Sequence, residues 1–403
     1  MAQSRERETW SELTWGERRA RAALGWAAGL NARDIELIAH SAGGDIKGWW
    51  SEGAQLDIQL QAELREAACR RLETLTLGLS DALAAMESWS GTLIVRGDEE
   101  YPPGWEALRA PPLYVRTHGN ADALIAPAVA VVGTRGLRPR DRPVARRLVE
   151  ALAPMGYAVV SGGAIGADAL AHDVALNGGN TTVAVMPGCL EVPTPRQNAG
   201  LFERIVASGG ALISEYEPGQ RVRAFHFARR NELIAAMARA VLVVRAGRKS
   251  GTMLTVCAAE KIGRPVGAVP GEADDVLSRG CFDAIQRGAM LIANVDDLHQ
   301  WLDEESDGKA RQSSPAVRSR RSEKKQPALP GVRPLPEGLG ARALALYAAA
   351  REIADGETGV SIDSLTAALE WAIPDVLSAI LELELAGAVA RQIGAERLRL
   401  LCV

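Results

Sequence analysis

The sequence predicts an α/β protein whose centre is a doubly wound parallel sheet, with a small helical domain before it and a winged-helix domain after it. Two observations point to this class. Short apolar runs such as AVAVVG (128–133) and AVLVV (240–244) are nearly continuous, as in parallel strands that helices cover on both faces. Segments long enough for crossover helices separate these runs, so we expect an extended Rossmann-like topology.

Composition limits the possible functions. The 403 residues suffice for two or three domains, and the 47% apolar and 24% charged fractions are those of an ordinary globular protein. With a net charge of -4, any binding of nucleic acid requires a focused basic groove. Five scattered cysteines without a C-x-x-C pair indicate reduced thiols rather than disulfides or a zinc site. The polar N-terminus and the lack of a long apolar run predict a soluble, cytoplasmic protein.

Residues 1–88 are predicted to form a small helical domain of the SAM or helix-hairpin-helix kind. Ala, Leu, Arg and Glu dominate this region, and glycines separate its helical segments. For its tryptophans we favour core packing over base stacking, because so small a domain has few other aromatic residues to fill a core. These tryptophans are Trp10, Trp15, Trp26, Trp49 and Trp50.

The Rossmann-like domain is predicted to span residues 89–303. Residues 304–338 are rich in Pro, Ser, Arg and Lys, so we expect a disordered basic linker that can add a weak, salt-sensitive attraction to a polyanion. Residues 339–403 follow the order helix, short helix, longer helix and two strand-like pieces, which is typical of a winged helix. The apolar run 290–292 is interpreted as a core strand, with pairing of subunits as the alternative.

Four segments beside the predicted strands carry the candidate binding residues: three follow a strand, and the segment 225–231 precedes one. In an open α/β sheet the ligand lies outside the carboxyl ends of the strands, near the switch in strand order. Glycines there let backbone N–H groups approach an anion, and arginine or lysine supplies positive charge. Together the segments predict a phosphate-binding cleft. The candidates are Gly133, Thr134, Arg135, Gly162, Gly163, Phe227, Arg229, Arg230, Asn231, Lys249, Ser250, Gly251 and Thr252.

Several other chemistries lack their motifs. No G-x-G-x-x-G follows a strand, and GRKSGT (247–252) is not a G-x-x-x-x-G-K-[ST] loop, so neither a dinucleotide cofactor nor ATP hydrolysis is expected. Asp168 and His172 stand four residues apart on one helix, but without a third ligand we favour a structural hydrogen bond over a metal site. Because no convincing acid–base set is found, the sequence predicts binding without catalysis, cofactor or metal.

Two phenylalanines stand close to this positive charge. Phe225 and Phe227 flank His226 immediately before Arg229 and Arg230. An aromatic ring beside basic residues is typical of a site that stacks the bases of a single strand. Packing of a ring in the core is an equally open interpretation, and Phe227 is the better candidate for stacking.

The order of these motifs resembles the DprA/Smf family of DNA-processing proteins of bacterial natural transformation. The resemblance is carried above all by AVAVVGTRG (128–136), SGGAIGADALAH (161–172), FARRNELIAAMARAVLVV (227–244) and RKSGTMLTVCAAEKIG (248–263). It implies a non-catalytic protein that binds single-stranded DNA, protects incoming strands, displaces single-strand-binding protein and loads the RecA recombinase. It also implies a homodimer joined through the Rossmann-like domain.

By motif, the resemblance assigns phosphate contacts to the G-[ST]-R turn (133–135), the second glycine turn (162–163), F-x-x-R-N (227–231) and [RK]-S-G-[ST] (249–252). It places Phe227 beside a base.

The sequence departs from the family pattern at the rim of the predicted cleft. Ile165 stands where the family commonly shows an arginine, Ala228 replaces a proline and Glu232 replaces an arginine. These changes remove positive charge, so we expect them to affect affinity rather than fold. Arg196 and Arg223, or the basic linker, are candidates to compensate.

Two other functions stay open. A cleft for a phosphate and a base also suits a nucleotide sensor or a phosphoribohydrolase, although the sequence lacks the P-G-G-x-G-T-x-x-E stretch of such hydrolases. A scaffold whose winged helix contacts duplex DNA is the third possibility. Because the segment 373–387 has few basic residues, a protein contact is at least as well supported for that domain.

Overall fold

The chain forms two compact units, Met1–Ala316 and Val317–Val403. The computed structural model describes residues 9–306, 340–353, 360–369, 371, 373–385, 389–391 and 397–400. The first unit contains the helical region together with the large sheet, and the second contains a small sheet with its own helices.

Short helices build the N-terminal region. Those described are α1 (Trp15–Ala27), α2 (Ala32–Ser41), α3 (Ile46–Ser51), α4 (Ile58–Glu63), α5 (Glu66–Glu73) and α6 (Leu79–Ser88). Thr14 begins α1 because its side chain accepts a hydrogen bond from the Glu17 backbone N–H (3.2 Å). Asn31 and Asp34 form a capping box at the start of α2.

The tryptophans of this region pack in the core with one exception. Trp10 and Trp50 are buried, and Trp26 and Trp49 lie partly buried against the same core. The prediction is wrong for Trp15, which is 60% exposed. This residue is the first of α1, and its ring lies on the surface with the guanidinium of Arg19 5.1 Å from its centre.

The large sheet has nine strands within the described residues. They are β1 (Thr92–Val95), β2 (Tyr114–Gly119), β3 (Ala128–Gly133), β4 (Ala158–Ser161), β5 (Thr182–Val185), β6 (Ala211–Ser214), β7 (Ala240–Arg245), β8 (Val266–Ala268) and β9 (Met290–Leu291). Their order is β1-β2-β6-β5-β4-β3-β7-β8-β9. The seven strands from β6 to β9 in this order are parallel, and β2 joins β1 to β6 by antiparallel pairing.

Helices cover both faces of this sheet. They are α7 (Arg142–Glu150), α8 (Ala167–Asn177), α9 (Ala199–Ala207), α10 (Ala224–Met237), α11 (Gly251–Lys261), α12 (Arg279–Gln286) and α13 (Val295–Ser306). On β3, Val129 and Val131 share a core with α7, α8 and α13, and Ala130 and Val132 share a core with α10, α11 and α12. This arrangement confirms the predicted doubly wound class. None of the helices in the described ranges has the length and apolar character of a membrane span.

The strand order places a switch point between β3 and β7. From β3 the chain proceeds to β4, β5 and β6 on one side and later returns to β7, β8 and β9 on the other. The turns that follow β3 and β7 therefore leave the sheet next to each other, with Gly133 opposite Arg245. A crevice at this place is where open α/β sheets bind their ligands.

The helical region is continuous with one edge of the sheet. Val95 of β1 and Leu113 just before β2 are buried in the same core as the N-terminal helices. Arg96, which follows β1, forms an ion pair with Glu36 of α2 at 2.9 Å. The described helical residues before 89 therefore belong to one compact unit with the sheet.

The end of the sheet domain differs from the predicted boundary. Helix α13 continues to Ser306, so residues 304–306, predicted as the start of the linker, are helical. The glutamates there are good helix formers, and the Pro- and Ser-rich composition begins only after them. The rest of the predicted linker lies outside the described residues. In the run 290–292, Ile292 is buried as predicted, but Met290 and Leu291 form an exposed edge strand.

The second unit has the element order of a winged helix. Its described elements are α14 (Ala341–Ile353), β10 (Val360–Ser361), α15 (Ile362–Leu369), α16 (Ile373–Leu385), β11 (Val389–Arg391) and β12 (Arg397–Leu400). Strand β12 lies between β10 and β11 and is antiparallel to both. Leu346, Leu365 and Ile380, one from each helix, are buried in a common core. The predicted winged-helix fold is thereby confirmed.

Candidate nucleic-acid interface

The turn after β3 is fixed between the end of β7 and the start of α8. The Thr134 backbone N–H donates to the Arg245 carbonyl (2.8 Å), and the Thr134 carbonyl accepts from the Ala167 N–H (3.1 Å). A Cβ on Gly133 would lie 2.6 Å from the Ala167 Cβ, so only glycine permits this approach. The Thr134 hydroxyl accepts from the Gly136 N–H (3.2 Å). Gly133 and Thr134 thus shape the turn that presents the next residue.

Arg135 is the exposed residue of this turn, and it meets a residue from another predicted motif. Its guanidinium carbon lies 5.7 Å from the centre of the half-buried Phe227 ring. Within the described residues Arg135 has no carboxylate partner. The structure therefore brings a free cation and an aromatic ring together at the switch point.

The glycines after β4 serve close packing. A Cβ on Gly162 would lie 1.4 Å from Nη1 of Arg230, so the Arg230 guanidinium occupies the space that a side chain at position 162 would need. Gly163 has a φ of +64°, and a Cβ there would lie 2.7 Å from Cε1 of Phe202. In this arrangement the two glycines accommodate side chains of the protein itself. Their predicted contact with phosphate remains a prediction.

Arg230 lies beneath the surface beside a buried carboxylate. Its Nη1 is 4.0 Å from Oδ2 of Asp168 and donates to the Val185 carbonyl (3.4 Å). Oδ2 of Asp168 also accepts from the Ala164 backbone N–H (3.3 Å). Burial raises the pKa of Asp168 and lowers the pKa of Arg230, and the attraction between the two charges opposes both shifts. As described, Arg230 supports the glycine turn from below.

Arg229 projects away from the switch point. It donates to both carboxylate oxygens of Glu215 (2.8 Å each), to Glu232 (3.1 Å) and to the Ala110 carbonyl (2.8 Å). Burial opposes its charge, but Glu215 raises the pKa of Arg229. This side chain lines a cavity of about 580 Å³ that reaches Trp26 of the helical region. The structure does not bring Arg229 to the predicted cleft.

Asn231 and Thr252 fix the position of α11. The Asn231 side-chain nitrogen donates to the Gly251 carbonyl at 3.1 Å, which ties α10 to the first residue of α11. Thr252 is buried in the first turn of that helix. Both residues therefore position the start of α11 next to the switch point.

The start of α11 combines free charge with an unpartnered hydroxyl. Ser250 is the N-cap residue, yet its Oγ is buried and has no hydrogen-bond partner in the described part of the chain. Lys249 is exposed without an ion pair there, whereas its neighbour Arg248 is bound to Asp283 (2.7 Å). A Cβ on Gly251 would meet nothing within 4 Å. Open amides, a hydroxyl and a lysine at a helix N-terminus suit an anion.

An ionic network missed by the sequence analysis holds the loops around the switch point. Arg245 at the end of β7 bonds to Asp141 and donates to the Ser278 hydroxyl (2.7 Å). Arg138 bonds to the same Asp141 (3.1 Å) and to Asp275. Arg138 and Asp141 are three positions apart, but the partners Arg245, Ser278 and Asp275 come from distant parts of the chain, and local patterns do not identify such pairs.

The pair on α8 is structural, as the sequence analysis favoured. Nδ1 of His172 lies 2.7 Å from the Thr182 hydroxyl, which itself donates to the Val159 carbonyl (2.9 Å), so Nδ1–H donates to Thr182. Burial lowers the pKa of His172 to about 3. In the ranges that the structure describes, no group of three His, Cys, Asp or Glu side chains is arranged to hold a metal.

Four of the predicted residues thus lie together at the switch point, with Ser250 at the N-cap of α11. We call this the switch-point surface and define it by Arg135, Phe227, Lys249 and Ser250. The turns that carry them are adjacent because β3 pairs with β7 and α10 is bonded to α11. The other candidates shape or support these turns, apart from Arg229.

Comparison with known proteins identifies the class to which this architecture belongs. The family model for DNA recombination-mediator protein A matches residues 92–303, and the model for the DprA winged helix domain matches residues 339–395. These matches define a DNA-processing protein with a winged helix. The chain belongs to the DprA/Smf family.

Individual relatives agree with this assignment. A putative DNA processing protein DprA of Mycobacterium tuberculosis is 39% identical over 236 residues, which is 55% of this chain and 60% of that protein. Protein Smf of Synechocystis is 32% identical over 314 residues, 74% of this chain and 77% of that protein. The X-ray structure of DNA processing protein A from Streptococcus pneumoniae superposes with a TM-score of 0.60 and 28% identity, covering 70% of this chain and 97% of that one.

Proposed function

We propose that this protein binds single-stranded DNA at the switch-point surface and acts as a recombination mediator without catalytic turnover. The observation that carries the proposal is the meeting of a free guanidinium, an aromatic ring and an open helix N-terminus at one point of the sheet. In this role the protein protects incoming strands during natural transformation, displaces single-strand-binding protein and loads RecA. It works in the cytoplasm as a homodimer joined through the Rossmann-like domain.

We assign the phosphate contacts to Arg135 and Lys249, because no carboxylate neutralises their charges within the described residues. Arg229, Arg230 and Arg245 each have a carboxylate within 4.0 Å. The N-terminus of α11 adds amide donors and the unpartnered Ser250 hydroxyl. Each cation that meets a phosphate releases counterions, so the two together contribute about 1.4 to the slope of log affinity against log salt.

A base is recognised by stacking. The half-buried Phe227 ring offers its free surface, and the guanidinium plane of Arg135 beside it stacks bases as well. Every base has a π-face, so the proposal predicts little preference for sequence.

The positions that depart from the family pattern bring little charge to the rim of the surface. Ile165 at the tip of the second glycine turn is 46% exposed, and Glu232 is paired with Arg229. Ile165 and Glu232 therefore neither attract nor strongly repel a strand. The affinity for the strand then depends on the few cations that have no carboxylate partner.

Fluorescence anisotropy of labelled oligo-dT over a salt series tests the proposal. We expect Arg135→Ala and Lys249→Ala each to weaken binding and to lower the salt slope by about 0.7. Lys261→Ala is the matched control, because Lys261 is exposed at the opposite end of α11. This control should bind as the unchanged protein does.

Two competitors decide between the proposal and the alternatives. Matched duplex should bind more weakly than the single strand, and a nucleoside monophosphate should not compete at low concentration. Competition by the mononucleotide would instead favour a nucleotide sensor or a phosphoribohydrolase.

The roles toward other proteins are supported by membership in the DprA/Smf family. They are tested by RecA filament assembly on DNA coated with single-strand-binding protein. The unchanged protein should accelerate assembly, and Arg135→Ala should lose this effect in proportion to its loss of DNA affinity. Acceleration that survives the loss of DNA binding would contradict the proposed mechanism.

A further inference from the structure

A second aromatic surface lies beside the switch-point surface and takes no part in it. Phe225, in the first turn of α10, is 60% exposed, and Val222 just before the helix is 38% exposed. Large apolar side chains grouped at the surface indicate a binding site more often than singly exposed ones do.

The Phe225 ring is held from its inner side. Its edge meets the buried His226 ring, with ring centres 4.3 Å apart and planes at 86°. His226 in turn stacks on Tyr216 at 4.0 Å with planes at 16°, and its Nδ1 accepts from the Arg223 backbone N–H (3.4 Å). Val222 packs separately, with a methyl group 2.5 Å from where a Cβ on Gly188 would be. The contact with His226 fixes the inner edge of the Phe225 ring, and most of the ring stays exposed.

Unpaired positive charge flanks this ring. Arg221 and Arg223 are exposed, and no carboxylate pairs with either of them in the part of the chain that the structure describes. The nearby Arg229 is, by contrast, fully paired with Glu215 and Glu232. Free guanidinium groups around an exposed aromatic ring match a chain of phosphates with bases between them.

The geometry of α10 relates this ring to the switch-point surface. Phe225 and Phe227 are two positions apart in the first turn, so their side chains project to opposite sides of the helix end. The separation of the two rings is therefore on the order of 10 Å, the diameter of a helix with its side chains. A strand stacked on Phe227 would have to cross the start of α10 to reach Phe225.

We propose that Phe225, flanked by Arg221 and Arg223, is a second base-stacking platform for the continuation of the same single strand. This inference rests on the proposed binding of single-stranded DNA at the switch-point surface. The second platform adds a separate stacking contact, which only strands long enough to cross α10 can reach.

The test measures the affinity of an oligo-dT length series for the unchanged protein, Phe225→Ala and Phe225→Leu. The unchanged protein should gain affinity beyond a threshold length. Phe225→Ala should lose about tenfold in affinity above that length and nothing below it, as expected for one lost stacking contact. Phe225→Leu should behave like Phe225→Ala, because leucine keeps apolar area but no π-face. The unfolding temperature of both variants should be unchanged, since the ring is mostly exposed.

Phe227→Ala and Arg223→Ala separate the two sites. Phe227→Ala should weaken binding at every length, and Arg223→Ala should lower the salt slope by about 0.7 for long strands only.

Four results are decisive. If the unchanged protein fails to bind single strands, the proposed function itself is overturned. If it binds and Phe227→Ala weakens binding, but Phe225→Ala matches the unchanged protein at all lengths, only the second platform is overturned. Equal losses at short and long lengths would also overturn it, since the ring would then belong to the first site. A change in self-association with unchanged DNA affinity would assign Phe225 to a protein contact.

Discussion

Cations of equal formal charge around the switch point have unequal environments. Arg135 and Lys249 are exposed and, within the described residues, unpaired. Arg230 is buried beside Asp168, and its neighbour Arg229, about 100° further around α10, is bound to Glu215. The surroundings of each side chain, rather than its type, therefore separate the proposed contacts to a strand from the supports of the fold.

Replacing Arg230 should damage stability rather than a surface contact. Arg230→Ala leaves the buried Asp168 without its cation, and we expect a loss of roughly 3 kcal/mol in the free energy of unfolding. Arg135→Ala is the comparison, because this exposed residue should change stability by less than about 0.5 kcal/mol. Urea denaturation of both variants measures the difference. Equal stabilities would show that Arg230 is dispensable for the fold.

His172 should make the protein sensitive to mild acid. Its folded pKa of about 3 lies below the ordinary value of 6.5, so below pH 6.5 the unfolded chain takes up a proton that the folded chain refuses. Stability therefore falls as the pH falls. The loss attributable to His172 between pH 7 and pH 5 is about 2 kcal/mol.

The variant His172→Gln should remove that part of the pH dependence, whatever its effect on stability at pH 7. His299→Gln is the control, because His299 is exposed. Thermal or urea unfolding at several pH values gives the slopes. Burial also lowers the pKa of His226, so a residual slope is expected in the variant. An unchanged slope in His172→Gln would refute the assignment.

At the level of secondary structure, the close approach of β3 to α8 defines the switch-point turn. Gly133 lies against Ala167, the first residue of α8, and Arg245 continues β7 on the other side. Where a strand packs this closely against two neighbouring elements, there is no room for an added atom. The direction in which Arg135 points depends on this packing.

The change Gly133→Ala should force these elements apart. We expect a loss of about 1–3 kcal/mol in the free energy of unfolding, together with weaker binding of oligo-dT. Gly136→Ala is a control in the same turn, because a Cβ there would meet only the Thr134 hydroxyl at 3.8 Å. Chemical denaturation and anisotropy on both variants give the answer. Indistinguishable variants would mean that the turn adapts without cost.

For the molecule as a whole, the helical region and the sheet behave as one unit. Val95 and Leu113 are buried against the N-terminal helices, and Arg96 is paired with Glu36. The winged helix, by contrast, has a core of its own.

Two truncations test this organisation. Removing residues 1–88 should expose Val95 and Leu113, lower the unfolding temperature and promote aggregation. Removing residues 317–403 should leave the unfolding temperature of the first unit almost unchanged. Calorimetry of both fragments beside the full chain measures this. A stable fragment 89–403 would contradict the shared core.

Much of this organisation is visible in the sequence. Apolar runs without polar alternation identify the buried parallel strands, and the meeting of 133–135 with 249–252 follows from the rule for switch points. The orientation of Arg229 cannot be predicted from the sequence. Adjacent helical residues point in different directions, and tertiary packing decides which face of α10 is buried. The bond between Arg245 and Asp141 joins residues separated by 104 positions, and local patterns carry no information on such pairs.

Asp168 also limits what the second glycine turn can offer to any ligand. Its carboxylate accepts from the Ala164 N–H, so this amide near the start of α8 already serves an internal anion. A backbone N–H carries one hydrogen and makes one good hydrogen bond at a time. The turn therefore has fewer free donors than its glycine-rich sequence indicates, and its main part in the molecule is to hold α8 against the sheet.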